Sequence, residues 1–423
     1  MTTASATAEV AGGAELKMRH ARSERRRRWR AFLLVAPLLL FICLTFLVPV
    51  ARMLFRSADN SFVYDALSQT REALAGWDAE SGELPPDAAF AALIADAKTG
   101  AKDKLLTRVG RRLNYKIAGV SSVFRKTARR APRLPDDIAN PRAALVGIHK
   151  RWGETDIWRG IKFFTASRYD GSHYLDAADF RYDPESNDYQ RRAEKERVYL
   201  RLFWRTILMS ALITFIAFLL GYPTAFLISS LPPKSANWLL ILVLLPFWTS
   251  LLVRTTSWIV LLYNQGVVNN TLVFFDIVAD DNRPELIHNA TGTIIAMTHI
   301  LLPFMILPIY SVMKTVPPSY MRAARSMGAN AWTAFWRVYF PLTLPGAGAG
   351  GILVFILAIG YYITPELVGG ADGTFISNRI AYHVRSSGNW GLASALGFML
   401  LALVLLLYWF YDKIIGVDKM KLG

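Results

Sequence analysis

Few polar residues of this chain occur at positions where they could form a functional site. Arg254 falls inside an apolar stretch, where an ionisable side chain is costly and is therefore a candidate for function. Tyr361, Tyr362 and Glu366 follow the core of another apolar stretch, and aromatic faces with a carboxylate can bind a cationic solute. We predict that these four residues face a translocation pathway. Snorkelling of Arg254 or its pairing with a neighbouring helix, and an interfacial aromatic belt for the tyrosines, are the alternatives.

A second group of residues lies in a basic connection between two apolar stretches, residues 314–346. Its main residues, in order, are Arg322, Ala323, Ala324, Gly328, Leu344 and Pro345. Helix-forming residues precede Gly328 and predict a short amphipathic helix that this glycine ends. We expect the small side chains of the two alanines to let another protein approach closely, and Pro341 and Pro345 to stop the following helix.

Patterns typical of enzymes are missing from the sequence. The six histidines are scattered and form no H-E-x-x-H pair, and no G-x-x-x-x-G-K-[ST] loop occurs. The glycine-rich run 346–351 formally matches a dinucleotide fingerprint, but an apolar stretch follows it, so we predict close helix packing instead. A single cysteine, Cys43, permits no disulfide within the chain and no cysteine cluster for a metal. We predict that the chain is not an enzyme and holds no metal or cofactor of its own.

The composition indicates a membrane protein. Hydrophobic residues make up 53% of the chain and the mean hydropathy is +0.27, whereas the charged fraction of 19% must be segregated from the apolar stretches. Six stretches approach the length of about 20 residues that crosses a bilayer as a helix. They are residues 31–52, 206–230, 237–263, 290–312, 347–367 and 391–411. The predicted fold class is therefore all-α, a polytopic helical membrane protein with six transmembrane helices and a helical external insertion.

Positive residues predict the orientation of the spans, because they remain cytoplasmic when they lie close to a span. An arginine-rich segment precedes the first span, so residues 1–30 are expected inside, with residues 31–52 as an uncleaved anchor. After six crossings the C-terminus and the connection 314–346 also face the cytoplasm. Residues 53–203 are then external despite their many basic residues. Residues 204–423 form the permeation core, which contains the other five spans and the connection 314–346. The net charge of +16 indicates a membrane surface and not nucleic acid.

The insertion at residues 53–203 contains one clear helical pattern. Apolar residues recur at spacings of three and four and predict one apolar helix face. They are Leu106, Val109, Leu113, Ile117, Val120 and Phe124. We favour a small helical cap that packs this face into its own core. A surface for a solute receptor and a helix lying on anionic lipid are the alternatives.

The connection 314–346 resembles the cytoplasmic coupling loop of binding-protein-dependent ABC importer permeases. The family signature is Glu-Ala-Ala, three residues, Gly, nine residues, Ile-x-Leu-Pro. Here Arg322 stands in place of Glu, Val338 is the nearest branched residue to the Ile position with an offset of one place, and Leu344-Pro345 supplies the ending. Residues 200–423 and the first span resemble the spermidine/putrescine-type branch, on the strings GYPTAF from Gly221, LPFWTSLLVR from Leu245 and PLTLPG from Pro341. The insertion is larger than that branch would suggest.

The resemblance implies partners and a mechanism. It implies a second permease subunit, cytoplasmic ATPase subunits that bind ATP and grip the coupling loop, and a periplasmic solute-binding protein. Closure of the ATPases would drive alternating access for a small, possibly polyamine-like solute across a bacterial inner membrane. A stand-alone secondary transporter or channel is the alternative function. That alternative fits less well, because only Arg254 lies clearly within a span and no repeat relates the two halves.

Overall fold

A computed structural model describes residue 24 and residues 27–415. The basic residues His20, Arg22, Arg25, Lys419 and Lys421, which contribute to the predicted orientation, lie outside this range. The chain divides into two compact units, residues 1–56 and residues 57–423, each of which is described by itself.

The first unit contains most of one long helix, Arg27–Ala58. Its 32 residues rise about 48 Å, which exceeds the hydrocarbon core of a bilayer. One π-helical turn, Cys43–Leu47, interrupts the regular α-helix. Large apolar side chains such as Leu34 and Phe46 are exposed along it, as expected for a helix surrounded by lipid.

The predicted set of transmembrane helices is confirmed within the described residues, with one change in shape. Five helices are long and apolar enough to cross a membrane, and a bent pair raises the number to six if it counts as one span. The straight ones after the first are Tyr199–Ser230, Ala290–Thr315, Ala331–Gly360 and Trp390–Lys413. We number the spans one to six in chain order, with the bent pair as span three.

Span three was predicted as a single helix over residues 237–263, and this prediction is wrong. The segments Pro233–Trp248 and Leu251–Phe274 meet at an angle of 97°. Pro246 lies in a 3₁₀ turn just before the break, and its missing N–H weakens the continuing helix. Ser250 then caps a new helix, since its side chain accepts a hydrogen bond from the Val253 amide at 3.2 Å.

Spans two, four and five form the core of the membrane region. A side chain at Gly346 would meet the carbonyl oxygen of Pro308 at 2.9 Å, and one at Gly350 would meet that of Met305 at 3.0 Å. Both glycines therefore let span five approach the backbone of span four closely. The glycine-rich run serves helix packing, as the sequence predicts.

The insertion forms a helical region with one β-hairpin. Its α-helices are Ser61–Ala66, Ser68–Leu74, Asp87–Thr99, Leu105–Leu113, Val120–Arg130, Pro141–Ile148, Thr155–Thr165 and Ser172–Ala177. The hairpin pairs Phe180–Asp183 with Asp188–Arg191 in antiparallel register. A hydrophobic core joins most of these elements around the fully buried side chains of Trp152 and Trp158, whose ring centroids lie 5.2 Å apart. Ala177 of the last helix packs instead with residues of spans two and six. The predicted cap with its own core is thus observed.

The apolar stripe predicted between residues 106 and 124 is buried in this core at all six positions. The single helix expected to carry it is wrong, because the stripe lies on two helices that pack against each other. They are Leu105–Leu113 and Val120–Arg130. Gly119 makes the turn possible with a φ of 79°, and Gly110 leaves room for the ring of Phe124. Burial of this stripe argues against a helix that lies on lipid.

Candidate functional site

The connection 314–346, here called the coupling loop, begins with the short helix Pro318–Ser326. The helix ends in a Schellman motif: the Gly328 amide donates to the Arg325 carbonyl at 3.0 Å, and the Ala329 amide donates to the Ala324 carbonyl at 3.1 Å. Gly328 has a φ of 90°, a conformation that glycine adopts without strain. The helix end predicted at this glycine is therefore observed, and it redirects the chain toward span five.

The two alanines of the coupling loop have different surroundings. Arg322 and Ala323 are exposed, whereas Ala324 is only 4% exposed because it faces the rest of its own chain. Adjacent residues of a helix point about 100° apart, so both alanines cannot present themselves to one partner equally. The expectation that both alanines line a docking surface is corrected: of the two, only Ala323 is accessible, next to the exposed Arg322.

Aromatic residues surround the second half of the coupling loop. Asn330 caps the helix that leads into span five, since its side chain accepts a hydrogen bond from the Thr333 amide at 2.7 Å. The rings of Trp332 and Trp336 lie 5.5 Å apart, and Trp332 is 71% exposed. Phe335 packs edge-on to Phe226 of span two at 5.8 Å. The loop is therefore anchored to span two on one side and leaves large apolar side chains uncovered on the other.

Pro341 and Pro345 do not stop the helix, contrary to the sequence prediction. Span five runs continuously over Ala331–Gly360 and contains both prolines. A π-helical turn, Phe335–Tyr339, precedes Pro341 and closes with a hydrogen bond from the Phe340 amide to the Phe335 carbonyl. Such a turn shifts the hydrogen-bond ladder just before the proline, whose ring nitrogen cannot donate.

The ending of the signature also has a better match than Leu344-Pro345. Nine residues after Gly328 end at Arg337, so Val338 stands at the Ile position without an offset, and Phe340-Pro341 stands at the Leu-Pro position. Counting the spacing strictly would have found these residues from the sequence. Leu344 and Pro345 lie further along the span-five helix, where Leu344 lines an apolar cavity of about 510 Å³ between spans two, five and six.

Arg254 lies in the first turn of Leu251–Leu262, directly after the bend of span three. Its Nε atom is buried and has no hydrogen-bond partner in the part of the chain that the structure describes. His299 of span four lies within range of the charge of Arg254. The Nε1–H of Trp258 donates to the Nδ1 atom of the same histidine at 3.2 Å. Arg254 thus faces neighbouring spans.

Tyr361, Tyr362 and Glu366 lie beyond the end of span five at Gly360. Tyr362 is already paired, because the Nη2 atom of Arg385 donates to its hydroxyl at 2.6 Å and the guanidinium lies 5.2 Å from its ring centroid. Glu366 is exposed and accepts a hydrogen bond from Asn378 at 2.6 Å. A solute cation could therefore reach the carboxylate of Glu366, whereas the ring of Tyr362 is occupied by the chain's own arginine.

The structure brings Arg254 and Glu366 to neighbouring elements. The buried hydroxyls of Thr255 and Thr364 lie 3.1 Å apart and join the helix of Arg254 to Ile363–Val368, which carries Glu366. The predicted pathway residues consequently gather around one end of spans three and five. The coupling-loop residues lie in a separate group, at the beginning of span five.

A network of polar contacts that the sequence does not reveal attaches the insertion to spans two and six. Fully buried Asp179 accepts hydrogen bonds from the amides of Val198 and Tyr199 at 3.1 Å and of Leu200 at 2.8 Å, which caps span two. The Tyr199 hydroxyl lies 3.0 Å from the Nε2 atom of His383, which precedes span six. No local pattern marks Asp179, which lies in a turn about 20 residues before the amides that it caps.

An ion pair lies under this network. Lys116 of the insertion binds Asp176, and both residues are buried. Burial lowers the pKa of Lys116 and raises the pKa of Asp176, while their mutual attraction opposes both shifts. Burial, with Lys116 and Arg112 nearby, also lowers the pKa of His173 to about 3. The ring of His173 fills the space beside Gly391, where a side chain would meet its Nε2 atom at 2.2 Å.

These features define a multi-pass helical membrane protein with an exposed helical loop between spans four and five. The model of the family "binding-protein-dependent transport system inner membrane component" matches residues 207–415. The chain is 37% identical over 222 residues to the spermidine/putrescine transport system permease protein PotB of Haemophilus influenzae, covering 52% of this chain and 77% of that protein. It belongs to this family of ABC importer permeases and is an integral, multi-pass protein of the inner membrane.

Two further similar proteins were found. The PotB protein of Escherichia coli (strain K12) is 31% identical over 222 residues, which cover 52% of this chain and 80% of that protein. A bacterial alginate ABC transporter, solved in complex with an alginate pentasaccharide-bound periplasmic protein, is similar at 17% identity and a TM-score of 0.45, covering 53% of this chain and 79% of that one.

Proposed function

We propose that this chain is the permease subunit that converts ATPase motion into alternating access for a small solute. The main observation that supports this proposal is the structure of the coupling loop. A short exposed helix, ended by the turn at Gly328, connects directly to the continuous helix of span five. A force on the Arg322 face would pass through capped, helical backbone into a span. Rigid contacts of this kind transmit a subunit rotation as a movement of an attached helix.

The assembly would contain several partners. Two cytoplasmic ATPase subunits would bind ATP and hold the coupling loops, a second permease would complete the pathway, and a periplasmic solute-binding protein would deliver the solute. Both termini and the coupling loop would face the cytoplasm, and residues 53–203 would be external. No cofactor is assigned to this chain. The uncovered side chains of Met327 and Trp332 are large enough to anchor a partner in a groove.

The proposed solute is a small cation of the polyamine class. This proposal follows the names of the two PotB relatives, spermidine/putrescine transport system permease proteins, and the exposed carboxylate of Glu366. Arg254 and Arg385 lie on neighbouring elements and would repel a cation, so Glu366 would provide the attraction. A Glu366→Gln variant should then weaken uptake of spermidine while it leaves the amount of assembled transporter unchanged.

A charge reversal tests the docking of the loop. Arg322→Glu should impair association with the ATPase that co-purifies from native membranes, because an acidic groove is expected opposite Arg322. Arg325→Glu is the matched control, since Arg325 is also exposed on the same helix and undergoes the same charge change. Improved association of Arg322→Glu, or equal losses in both variants, would contradict the assignment of Arg322.

A reconstitution tests the function as a whole. The chain purified alone into liposomes should not accumulate spermidine, and addition of the ATPase, the second permease, the binding protein and ATP should start uptake. Accumulation by the chain alone would instead establish a stand-alone transporter or channel. Labelling of the coupling loop only from outside intact cells would also contradict the proposal.

A further inference from the structure

The insertion carries a strongly basic segment, and most of its cations take no part in the core or in the attachment to the spans. Residues 98–133 contain twelve Lys and Arg residues and one acidic residue, Asp103. Their apolar partners fill the core, so most of these cations lie on the outer sides of Leu105–Leu113 and Val120–Arg130. Like charges held this close repel one another, and an anion that binds between them relieves the repulsion.

Three of these cations converge on one cavity. Lys104, Arg125 and Arg129 line an opening of about 340 Å³, together with the side chain of Thr107 and apolar or glycine positions. The volume lies at the lower end of the range of about 300–1,000 Å³ typical of small-molecule sites. None of the residues that line the cavity is acidic, and in the described part of the chain none of the three cations forms an ion pair.

The backbone at this cavity also favours an anion. Lys104 directly precedes Leu105–Leu113 and adopts a left-handed conformation with a φ of 52°, which is uncommon for lysine. No side chain caps the start of this helix, so its positive end opens toward the same region as the three cations. The three cations give the cavity its positive electrostatic potential, and the helix end adds to it.

The location separates this cavity from the solute pathway. The turn between the two helices contacts the segment just before span six, where the Tyr115 hydroxyl donates to the Ser387 carbonyl. Lys104 lies at the opposite end of Leu105–Leu113, about 14 Å along the helix axis. The cavity therefore neither belongs to the group around Glu366 nor takes part in attaching the insertion.

We infer that the Lys104, Arg125 and Arg129 cavity is a binding site for an oxyanion group, a phosphate or a carboxylate of a small ligand. Arginine side chains bind such groups through paired N–H donors, and Thr107 adds a hydroxyl. The anionic group is supplied by a dissolved polyanion or by a lipid headgroup. This inference does not depend on which solute the permease transports.

Binding is measured with the full chain in nanodiscs of zwitterionic lipid, with inorganic pyrophosphate and citrate as probes in isothermal titration. Arg125→Gln/Arg129→Gln should weaken binding by at least about tenfold, since each arginine contributes a charge-assisted hydrogen bond. Lys126→Gln/Arg130→Gln is the matched control: it removes the same charge from exposed positions of the same helix that do not line the cavity. It should change the affinity by less than about twofold.

A third variant separates binding from folding. Lys104→Gly removes a cation from a left-handed position that glycine adopts freely, so it should raise the melting temperature while it weakens pyrophosphate binding. In nanodiscs that contain phosphatidylglycerol, unchanged pyrophosphate affinity identifies a site for a dissolved anion, and competitive loss identifies a headgroup site. Absence of binding to either probe, or equal losses in the cavity and control variants, overturns the inference.

Discussion

Trp332 and Trp336 of the coupling loop are 71% and 44% exposed, whereas Trp152 and Trp158 of the insertion are completely buried. Polar groups differ in the same way. The insertion pairs Lys116 with Asp176 inside its core, while Arg322 of the loop projects from an exposed helix. The insertion buries its two tryptophans within its own core, whereas the loop is held by backbone caps and by Phe335 on span two and leaves Trp332 uncovered. Substitutions should therefore reduce stability in the insertion and reduce coupling in the loop.

The largest effect on stability is expected at the buried ion pair. Lys116→Met leaves the Asp176 carboxylate buried without its cation and should lower the free energy of unfolding by about 3 to 5 kcal/mol. Thermal unfolding of the detergent-solubilised protein measures this loss. Lys116→Met/Asp176→Leu removes both charges and should recover most of it, because apolar pairs replace buried ion pairs well. A Lys116→Met variant as stable as the wild type would contradict the dependence of the insertion on this ion pair.

The next largest effect is expected where the insertion caps span two. Asp179→Ala removes the acceptor of three amides and places alanine at a φ of 61°, and it should cost about 2 kcal/mol. Asp179→Asn keeps one oxygen acceptor and a residue that tolerates this conformation, so its loss should be smaller. Hydrogen exchange at residues 198–200 checks the cause. Protection that is equal in the wild type and Asp179→Ala would exclude the capping role.

A pH effect of similar size is expected from His173. Its pKa is about 3 in the folded protein and about 6.5 when unfolded, so the unfolded state binds more protons between these values. Its contribution to stability is therefore retained above about pH 6.5 and lost as the pH falls toward 3. Between pH 7 and pH 5 the wild type should lose about 2 kcal/mol relative to His173→Gln, measured by unfolding at both values. Parallel pH dependences of the two proteins would contradict the buried, neutral histidine.

The smallest effect on stability, with a large effect on transport, is expected at Gly328. Gly328→Ala should cost about 1 kcal/mol locally, because the φ of 90° and not a steric clash opposes a side chain there. Membrane insertion should be unchanged, while uptake and stimulation of the ATPase should fall. Gly147→Ala is the control, since its position is equally open but has no positive φ. Unchanged uptake and ATPase stimulation in Gly328→Ala would contradict the role of this turn in coupling.

The sequence predicted features that depend on local patterns. Six apolar stretches correspond to the spans, counting the bent pair as one, and the helix end at Gly328 follows from the freedom of glycine. The apolar stripe of the insertion is buried as its periodicity predicts. Its division into two helices was missed because residues 114–119 continue the spacing of the stripe through a turn.

Features that depend on tertiary contacts were not predictable in this way. Pro246 precedes the break of span three, whereas Pro223, Pro303 and Pro345 lie inside continuous helices, so proline alone does not identify the break. The partners Lys116 and Asp176 are 60 residues apart, and Tyr362 acquires Arg385 only through the fold. For the candidate site, the sequence identified accessible Arg322 but not the burial of Ala324, which depends on the neighbouring loop helix.

The cap that Asp179 provides has a consequence for trimming this permease to its membrane region. Excision of the insertion would expose three backbone amides at the first turn of a 32-residue helix and would remove the ring that fills the space beside Gly391. A shortened chain would need a new acceptor, such as Ser, Asp or Asn just before Tyr199, and a larger side chain in place of Gly391. Without these two changes, the effects of a deletion would include fraying of span two and an empty space beside Gly391, as well as the loss of the insertion.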